Sequence, residues 1–404
     1  MSDYKILNRC LCCDSTDIEI LLDLSNQPLA NLYHDNTKEM DEYPLSVNIC
    51  NNCYHIQLTH VVNPNLLFKD YLYVSGTTKT LHDNMKWFVD YVLETTIWGK
   101  GDSVLDIACN DGTQLNYFKD KGFKTYGIDP AENLHKLSSE NHKVVCDYFN
   151  ADKFDRQFDV ITAQNVFAHN SNPKKFLEHC DELMHDESVL YIQTSQAEMI
   201  LNNQFDTIYH EHYSYLSLTA VSEILKANGL ALFDVEELTT HGGSLRIYAQ
   251  RSDSERQCCS ERVGEILEKE RYLGMRTTEY YSNFQCKADK VKNDFLSFLI
   301  AAKRDGKRVA AYGAAAKGNT LLNYAGIRGD LLSFIVDLNP AKQGKYTPGT
   351  RIPIVDEAAL KREKPDFVVI LPWNLRVEII EQLEYIRQWG GVFVTAVPQL
   401  EVIT

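Results

Sequence analysis

The stretch "SVLDIACNDGTQLNYF", residues 103–118, decides the fold. A short apolar run reads as a strand, a turn rich in small residues follows, and a helix begins. The same rhythm continues in "KTYGID" (124–129), "KVVCDY" (143–148), "FDVITAQNV" (158–166) and "SVLYIQT" (188–194). Short apolar runs alternating with amphipathic stretches imply β-α-β units, hence a mainly parallel sheet flanked by helices. A second alternation starts at "RVAAYGAAAKGNTLL" (308–322) and continues in "LLSFIVD" (331–337), "DFVVILP" (366–372) and "GVFVTAV" (391–397). Two α/β units imply two ligand crevices at the carboxyl ends of strands. Between them, residues 251–295 are polar and read as charged surface helix. The chain divides into an N-terminal module (1–75), a central Rossmann-like domain (76–238) and a C-terminal α/β domain (239–404).

Composition narrows the function. A chain of 404 residues with 44% hydrophobic and 11% aromatic residues folds into globular domains. A formal net charge of −15 argues against a protein that clamps nucleic acid, which needs a basic surface. No apolar run approaches the roughly 20 residues of a membrane span, so no membrane partner is expected. The start "MSDYKILNRC" lacks the apolar core of a signal peptide. A cytoplasmic, reducing location follows as an expectation, and the 11 cysteines then point to metal or structural roles rather than disulfides.

Four of those cysteines form two C-x2-C pairs, Cys10 with Cys13 and Cys50 with Cys53. Four thiolates suit a closed tetrahedral Zn2+ site whose role is folding. Cys12 is an alternative ligand beside the first pair.

The loop Asp106–Gly112 holds one glycine, so it lacks the close-spaced glycines that let a pyrophosphate approach the backbone. Acidic Asp106 would repel a pyrophosphate but suits an α-amino group, directly or through water. Asp129 ends the next strand and is placed for the two hydroxyls of a ribose. Asp147 is placed for an adenine edge. These features favour S-adenosylmethionine over a dinucleotide. The loop resembles a degenerate methyltransferase first motif, with Ala108 and Asn110 where glycines commonly sit, followed by Gly112. Asn165 joins the cofactor set.

The central stretch "FDTIYHEHYSYLS" (205–217) admits three readings. As a metal site, its histidines lack the one-turn spacing of H-E-x-x-H; on a strand, His210 and His212 would share a face. As a packing strand, Tyr209, Glu211, Tyr213 and Tyr215 would share one face. As an acid–base site, a histidine tuned by a carboxylate would remove a proton, with tyrosine hydroxyls meeting the developing oxyanion.

Taken in order, the paired C-x2-C motifs, "NDGTQL", "NVFAH" (165–169), "FDTIYHEHYSY", "THGGSLRIY" (240–248), "GAAAKGNTLLNY" (313–324) and "DLNPAKQGKYTPGTRIPI" (337–354) resemble the sugar C-methyltransferases that make branched deoxysugars. The resemblance spans nearly the whole chain. It implies a zinc-binding N-terminal module, a central S-adenosylmethionine domain and a C-terminal domain that helps hold a nucleotide-linked 4-keto sugar, on thymidine or guanosine diphosphate, methylated at C3. It further implies His212 as base with Glu211 the competing candidate, and Tyr209 and His169 lining the sugar. Tyr71 or Tyr73 of "YLYVSGTT" would contact cofactor or substrate. Lys317 and Asn319, with Asn339, Lys342 and Gln343, would meet the diphosphate and sugar. Gly76 stands where the family pattern suggests serine. A nicotinamide-dependent sugar-nucleotide oxidoreductase and a non-catalytic, zinc-stapled sugar-nucleotide binder are the alternatives.

Overall fold

A computed structural model describes residues 3–36, 39–71, 73–77, 79–195, 197–200, 202–238, 242–254 and 256–404. Thr240 and His241 of "THGGSLRIY", and Leu72 and Thr78 of "YLYVSGTT", lie outside the described residues.

The N-terminal module is built on an antiparallel sheet. Strands Ile18–Pro28, Glu42–Cys50 and Ile56–Leu58 lie side by side, and Ser214–Tyr215 adds to the last of them. That last pairing matters for function. The two residues immediately after Tyr213 belong to the sheet of a module that ends more than a hundred positions earlier in the chain.

The central sheet has seven strands in the order Leu230–Leu238, Ser244–Arg251, Met184–Ser195, Phe158–Gln164, Ser103–Ile107, Lys124–Ile128 and Lys143–Val145. The alternation of the sequence accounts for its parallel part. Ser244–Arg251 runs antiparallel to both of its neighbours. The sheet therefore continues past residue 238, where the sequence reading begins the C-terminal domain. All five residues of Ser103–Ile107 are buried, as expected for a strand covered on both faces. Helices Lys79–Thr95, Thr113–Asp120, Pro173–Glu182 and Leu218–Ala227 belong to this domain. Local chemistry starts two of them: Asn172 Oδ1 accepts from the Lys175 N–H ahead of Pro173, and Ser217 Oγ accepts from the Ala220 N–H.

The C-terminal sheet has six strands in the order Ile354–Val355, Ile335–Val336, Val309–Tyr312, Phe367–Ile370, Val392–Thr395 and Glu401–Ile403, the last antiparallel. The stretch read as charged surface helix is only partly so. Residues 252–254 and 256–260 are not helical, and helices Glu261–Tyr272 and Phe284–Arg304 follow. The second helix buries Phe284, Ala288, Val291, Phe295, Leu299 and Ala302, an apolar stripe at i, i+4, i+7 spacing beneath a charged outer face.

Candidate active site

Residues 205–213 do not form a strand. Phe205–Thr207 is a single 3-10 turn, and Tyr209–His212 is a reverse turn closed by the His212 N–H on the Tyr209 carbonyl at 3.0 Å. The turn sends its side chains in different directions instead of alternating them. The packing-strand reading therefore fails for this segment, although aromatic residues gave it strand character.

The two histidines part company. His210 is buried against the N-terminal module, its Nε2 3.2 Å from the Tyr43 carbonyl, and burial holds its ring down to about 4. His212 Nε2 sits 2.8 Å from the Tyr209 hydroxyl, and its ring lies 4.8 Å from that of His169. His169 in turn stacks on Phe68. The metal reading of "HEH" thus has no shared face to stand on. Among the described residues, the one group spaced to hold a metal is Cys10, Cys13, Cys50 and Cys53.

Glu211 is 3% exposed. Its Oε1 accepts from Asn31 Nδ2 at 2.6 Å and its Oε2 from the Tyr71 hydroxyl at 3.1 Å. Burial pushes its carboxyl up to about 7, against the pull of those two donors. Burial likewise raises the Tyr209 and Tyr71 hydroxyls well above their usual range, so both remain protonated donors. Asn31 was not foreseen, because no spacing rule connects it to position 211. Tyr213 continues the turn inward, its N–H on the Ala168 carbonyl at 2.7 Å.

The cofactor loop explains its own departures from glycine. Ala108, Asn110 and Gly112 all have positive φ, at 61°, 53° and 81°. The backbone thus takes the conformation that glycines normally supply at these positions. Asp129 holds the loop from the neighbouring strand: Oδ2 accepts from the Asn110 N–H at 2.9 Å and Oδ1 from the Ala131 N–H at 2.8 Å. Each carboxylate oxygen can accept a second bond, which fits a ribose diol. Asp106 is buried beneath the loop, where Oδ1 accepts from Thr162 and Gln114, and burial raises it to about 7. It acts on the loop from below rather than as an open acidic face. Asp147 pairs with Lys153 at 2.5 Å, both side chains being partly exposed. Asn165, also at positive φ (57°), closes the strand Phe158–Gln164.

A strap joins the loop to the turn. Asn110 Nδ2 donates to the Tyr73 carbonyl, Asn110 Oδ1 accepts from the Ser75 N–H, and Asp111 Oδ2 accepts from the Gly76 N–H. Two residues before Tyr73, Tyr71 reaches Glu211. A Cβ at Gly76 would crowd Thr113 Oγ1 and Asp111 Oδ2, so a serine here requires those side chains to shift.

In the C-terminal domain, Lys317 Nζ donates to Asn374 Oδ1 and lies over the Trp373 ring, while Trp373 Nε1 donates to buried Asp206 at 2.8 Å. Lys342 Nζ donates to the Ala314 carbonyl and stands 3.6 Å from Asp337. Gln343 donates to the Asp337 carbonyl, and Asn339 Oδ1 accepts from the Ala341 N–H. These residues gather at the carboxyl ends of the C-terminal strands, the crevice that the topology predicts. Asn319 is 1% exposed, and its Nδ2 donates to the Ala30 carbonyl and the Tyr33 hydroxyl, which ties it to the N-terminal module. Asp206 and Trp373 escaped the sequence reading because their link spans 167 positions.

The sulfurs of Cys10, Cys13, Cys50 and Cys53 lie within 4.8 Å of one another, with Cys10–Cys53 and Cys13–Cys50 at 3.5 Å. Tetrahedral Zn–S bonds of about 2.3 Å put sulfurs roughly 3.8 Å apart, so the set fits zinc. Cys12 is buried outside it.

Three family models match successive parts of the chain. Family models described as "Putative zinc binding domain", "Methyltransferase domain" and "C-methyltransferase C-terminal domain" match residues 10–68, 81–235 and 239–398. C-methyltransferase NovU of Streptomyces niveus is 30% identical over 409 residues, covering 98% of this chain and 97% of that protein. The chain belongs to the C-methyltransferase family. It is an S-adenosylmethionine-dependent methyltransferase with a structural zinc, and the oxidoreductase and non-catalytic alternatives fall. A ubiquinone biosynthesis O-methyltransferase of Coxiella burnetii is 23% identical over 195 residues, 43% of this chain and 82% of its own. Magnesium protoporphyrin IX methyltransferase from Synechocystis PCC 6803, solved with bound S-adenosylmethionine, covers 45% of this chain and 88% of its own at 14% identity and TM-score 0.36. Among the described residues no helix is long and apolar enough to cross a membrane.

Proposed function

We propose that this C-methyltransferase acts at C3 of a nucleotide-linked 4-keto-deoxysugar, in the biosynthesis of a branched deoxysugar in the cytoplasm. The observation that carries the reading is the strap: one short segment ties the cofactor loop, through Asn110, to the acid–base turn, through Tyr71 and Glu211. A C–H bond is too weak an acid to be methylated without help, so a base beside the cofactor is the chemical need that this turn meets.

Bound S-adenosylmethionine supplies an electrophilic methyl group. Ala108, Asn110, Gly112 and Asp129 shape its cradle, with Asn165 at its edge. A C4 ketone acidifies the proton on C3, and His212 removes it. The resulting enolate oxygen is met by the Tyr209 hydroxyl or by His169. Glu211 remains the competing base, held within reach of neutrality by burial. Lys317, Lys342, Asn339 and Gln343 line the side on which the diphosphate of a thymidine or guanosine nucleotide would lie. Holding both ligands in one geometry supplies much of the remaining acceleration.

Incubation with methyl-labelled S-adenosylmethionine and a thymidine diphosphate 4-keto-6-deoxysugar should place label on carbon. Label on oxygen or nitrogen alone overturns the reading. In deuterium oxide with S-adenosylhomocysteine, His212→Asn should slow hydrogen exchange at C3 by about 10²–10⁴-fold. If exchange survives in that variant and is lost in Glu211→Gln, the base is Glu211.

A further inference from the structure

The residues "AKGNT", 316–320, open the helix Ala316–Tyr324 just beyond the carboxyl end of strand Val309–Tyr312. Gly318, Asn319 and Thr320 meet different neighbours. A Cβ at Gly318 would crowd Leu371, so the glycine lets the helix lie close on its own domain. Asn319 and Thr320 are each 1% exposed, and both bond outside that domain. Thr320 Oγ1 donates to the Ile208 carbonyl at 3.0 Å, immediately before the turn Tyr209–His212.

Asn319 reaches the same turn by another route. Its Nδ2 donates to the Ala30 carbonyl at 2.7 Å and to the Tyr33 hydroxyl at 3.2 Å, and that hydroxyl donates to the Ala314 carbonyl at 2.5 Å. A carbonyl only accepts, so the Asn319 NH2 must face the N-terminal module. Its Oδ1 is then buried without a donor among the described residues. A buried amide oxygen left unpaired costs stability, so packing alone does not account for an asparagine here. The two positions that Asn319 holds bracket Asn31. A backbone bridge at His34, whose carbonyl accepts from the Tyr346 N–H at 2.8 Å, fixes the far end of the same segment to the C-terminal domain. Between these anchors the Asn31 side chain turns to Glu211, with Nδ2 on Oε1 at 2.6 Å. One helix of the C-terminal domain therefore holds the turn twice, at its entry through Ile208 and at its carboxyl through Asn31.

We propose that Asn319 and Thr320 are positioning residues for the acid–base turn, Thr320 by fixing its entry and Asn319 by setting Asn31 against the Glu211 carboxyl. The C-terminal domain thus takes part in the chemistry as well as in holding the sugar nucleotide. The kinetic arm of the test rests on the sugar-methylation reading; the spectroscopic arm does not.

Thr320→Val keeps the side-chain shape and removes the donor to Ile208. Asn319→Ala removes both donors to residues 30–33, and Tyr33→Phe, the milder change, deletes the one oxygen that meets Asn319 and Ala314. Each should lower kcat about tenfold, with affinities for thymidine diphosphate and S-adenosylhomocysteine within about twofold of wild type. Asn319→Ala placed on Asn31→Ala should cost no more than about twofold further, because both act through one bond to Glu211. Losses that multiply, lower thymidine diphosphate affinity at unchanged kcat, or Thr320→Val and Tyr33→Phe both at wild-type kcat overturn the proposal. The second readout is the Asn31 side-chain amide signal of the full-length 15N-asparagine-labelled chain, assigned by its absence in Asn31→Ala. It is taken at pH 8, above the value of about 7 to which burial raises Glu211. The signal should move upfield in Glu211→Gln as its carboxylate acceptor is lost, and in the same direction in Asn319→Ala and Tyr33→Phe. A signal unmoved in Glu211→Gln, or in both of the others, also overturns the proposal. A wild-type chain that never methylates carbon defeats the functional reading instead, and the amide signal still judges whether the helix sets Asn31.

Discussion

Glu211 is held in a state unusual for a carboxylic acid, buried, bridged by Asn31 and Tyr71, and raised from 4.5 to about 7. The consequence for stability has a definite sign. Between those two values the folded chain binds more protons at this site than the unfolded chain, so stability falls as pH rises through the window. Glu211→Gln cannot titrate. Relative to wild type it should therefore gain roughly 3 kcal/mol from pH 4 to pH 8, measured by urea unfolding at each pH. A gap independent of pH would show that burial does not hold the proton on Glu211. At this scale the sequence told part of the story. The spacing of His210 and His212 argued against H-E-x-x-H chemistry, and the pairing of histidine with carboxylate pointed to acid–base work. It could not show that the segment is a turn, because its residues are held by partners distant in sequence: Tyr213 by the Val62 carbonyl, and Glu211 by Asn31 and Tyr71.

At the scale of elements, the cofactor loop is the part most legible in sequence and also the part under local strain. Its strand, turn and helix follow from the pattern of residues 103–118, and the positions where Ala108 and Asn110 replace glycine are the ones at positive φ. A left-handed alanine costs about 1–2 kcal/mol, of which glycine's greater unfolded-state freedom cancels a part. Ala108→Gly should therefore stabilise the chain by about 1 kcal/mol, seen as a raised urea midpoint, with S-adenosylhomocysteine affinity retained. A lowered midpoint would mean that the alanine methyl packs more usefully than the strain costs. The stretch 251–295 was less legible. Its charge count suggested surface helix throughout, but the apolar stripe from Phe284 to Ala302 shows that charge on one face says nothing about the other.

For the whole molecule, the N-terminal module does more than its zinc suggests. Its loop supplies Asn31 to Glu211, its sheet takes in Ser214–Tyr215, and Tyr33 donates to the Ala314 carbonyl of the C-terminal domain. The sequence showed four ligands and hence a folding role, but not that this folding reaches the turn Tyr209–His212, since those contacts join positions far apart in the chain. Besides the strap at Tyr73, Ser75 and Gly76, the cofactor loop has partners of its own, Asp129, Thr162 and Gln114, within the central sheet and its helices. Zinc removal should therefore separate the two functions. Structural zinc contributes on the order of 10 kcal/mol to the folding of small modules, enough to undo this one. Chelation, or Cys50→Ser, should abolish methyl transfer by more than about 10²-fold, through loss of the Asn31 and Ser214–Tyr215 contacts that fix the turn. Calorimetric affinity for S-adenosylhomocysteine should stay within a few-fold of the zinc-loaded chain. If affinity instead falls in step with activity, the central domain does not hold its cradle alone, and the module supports both halves of the site.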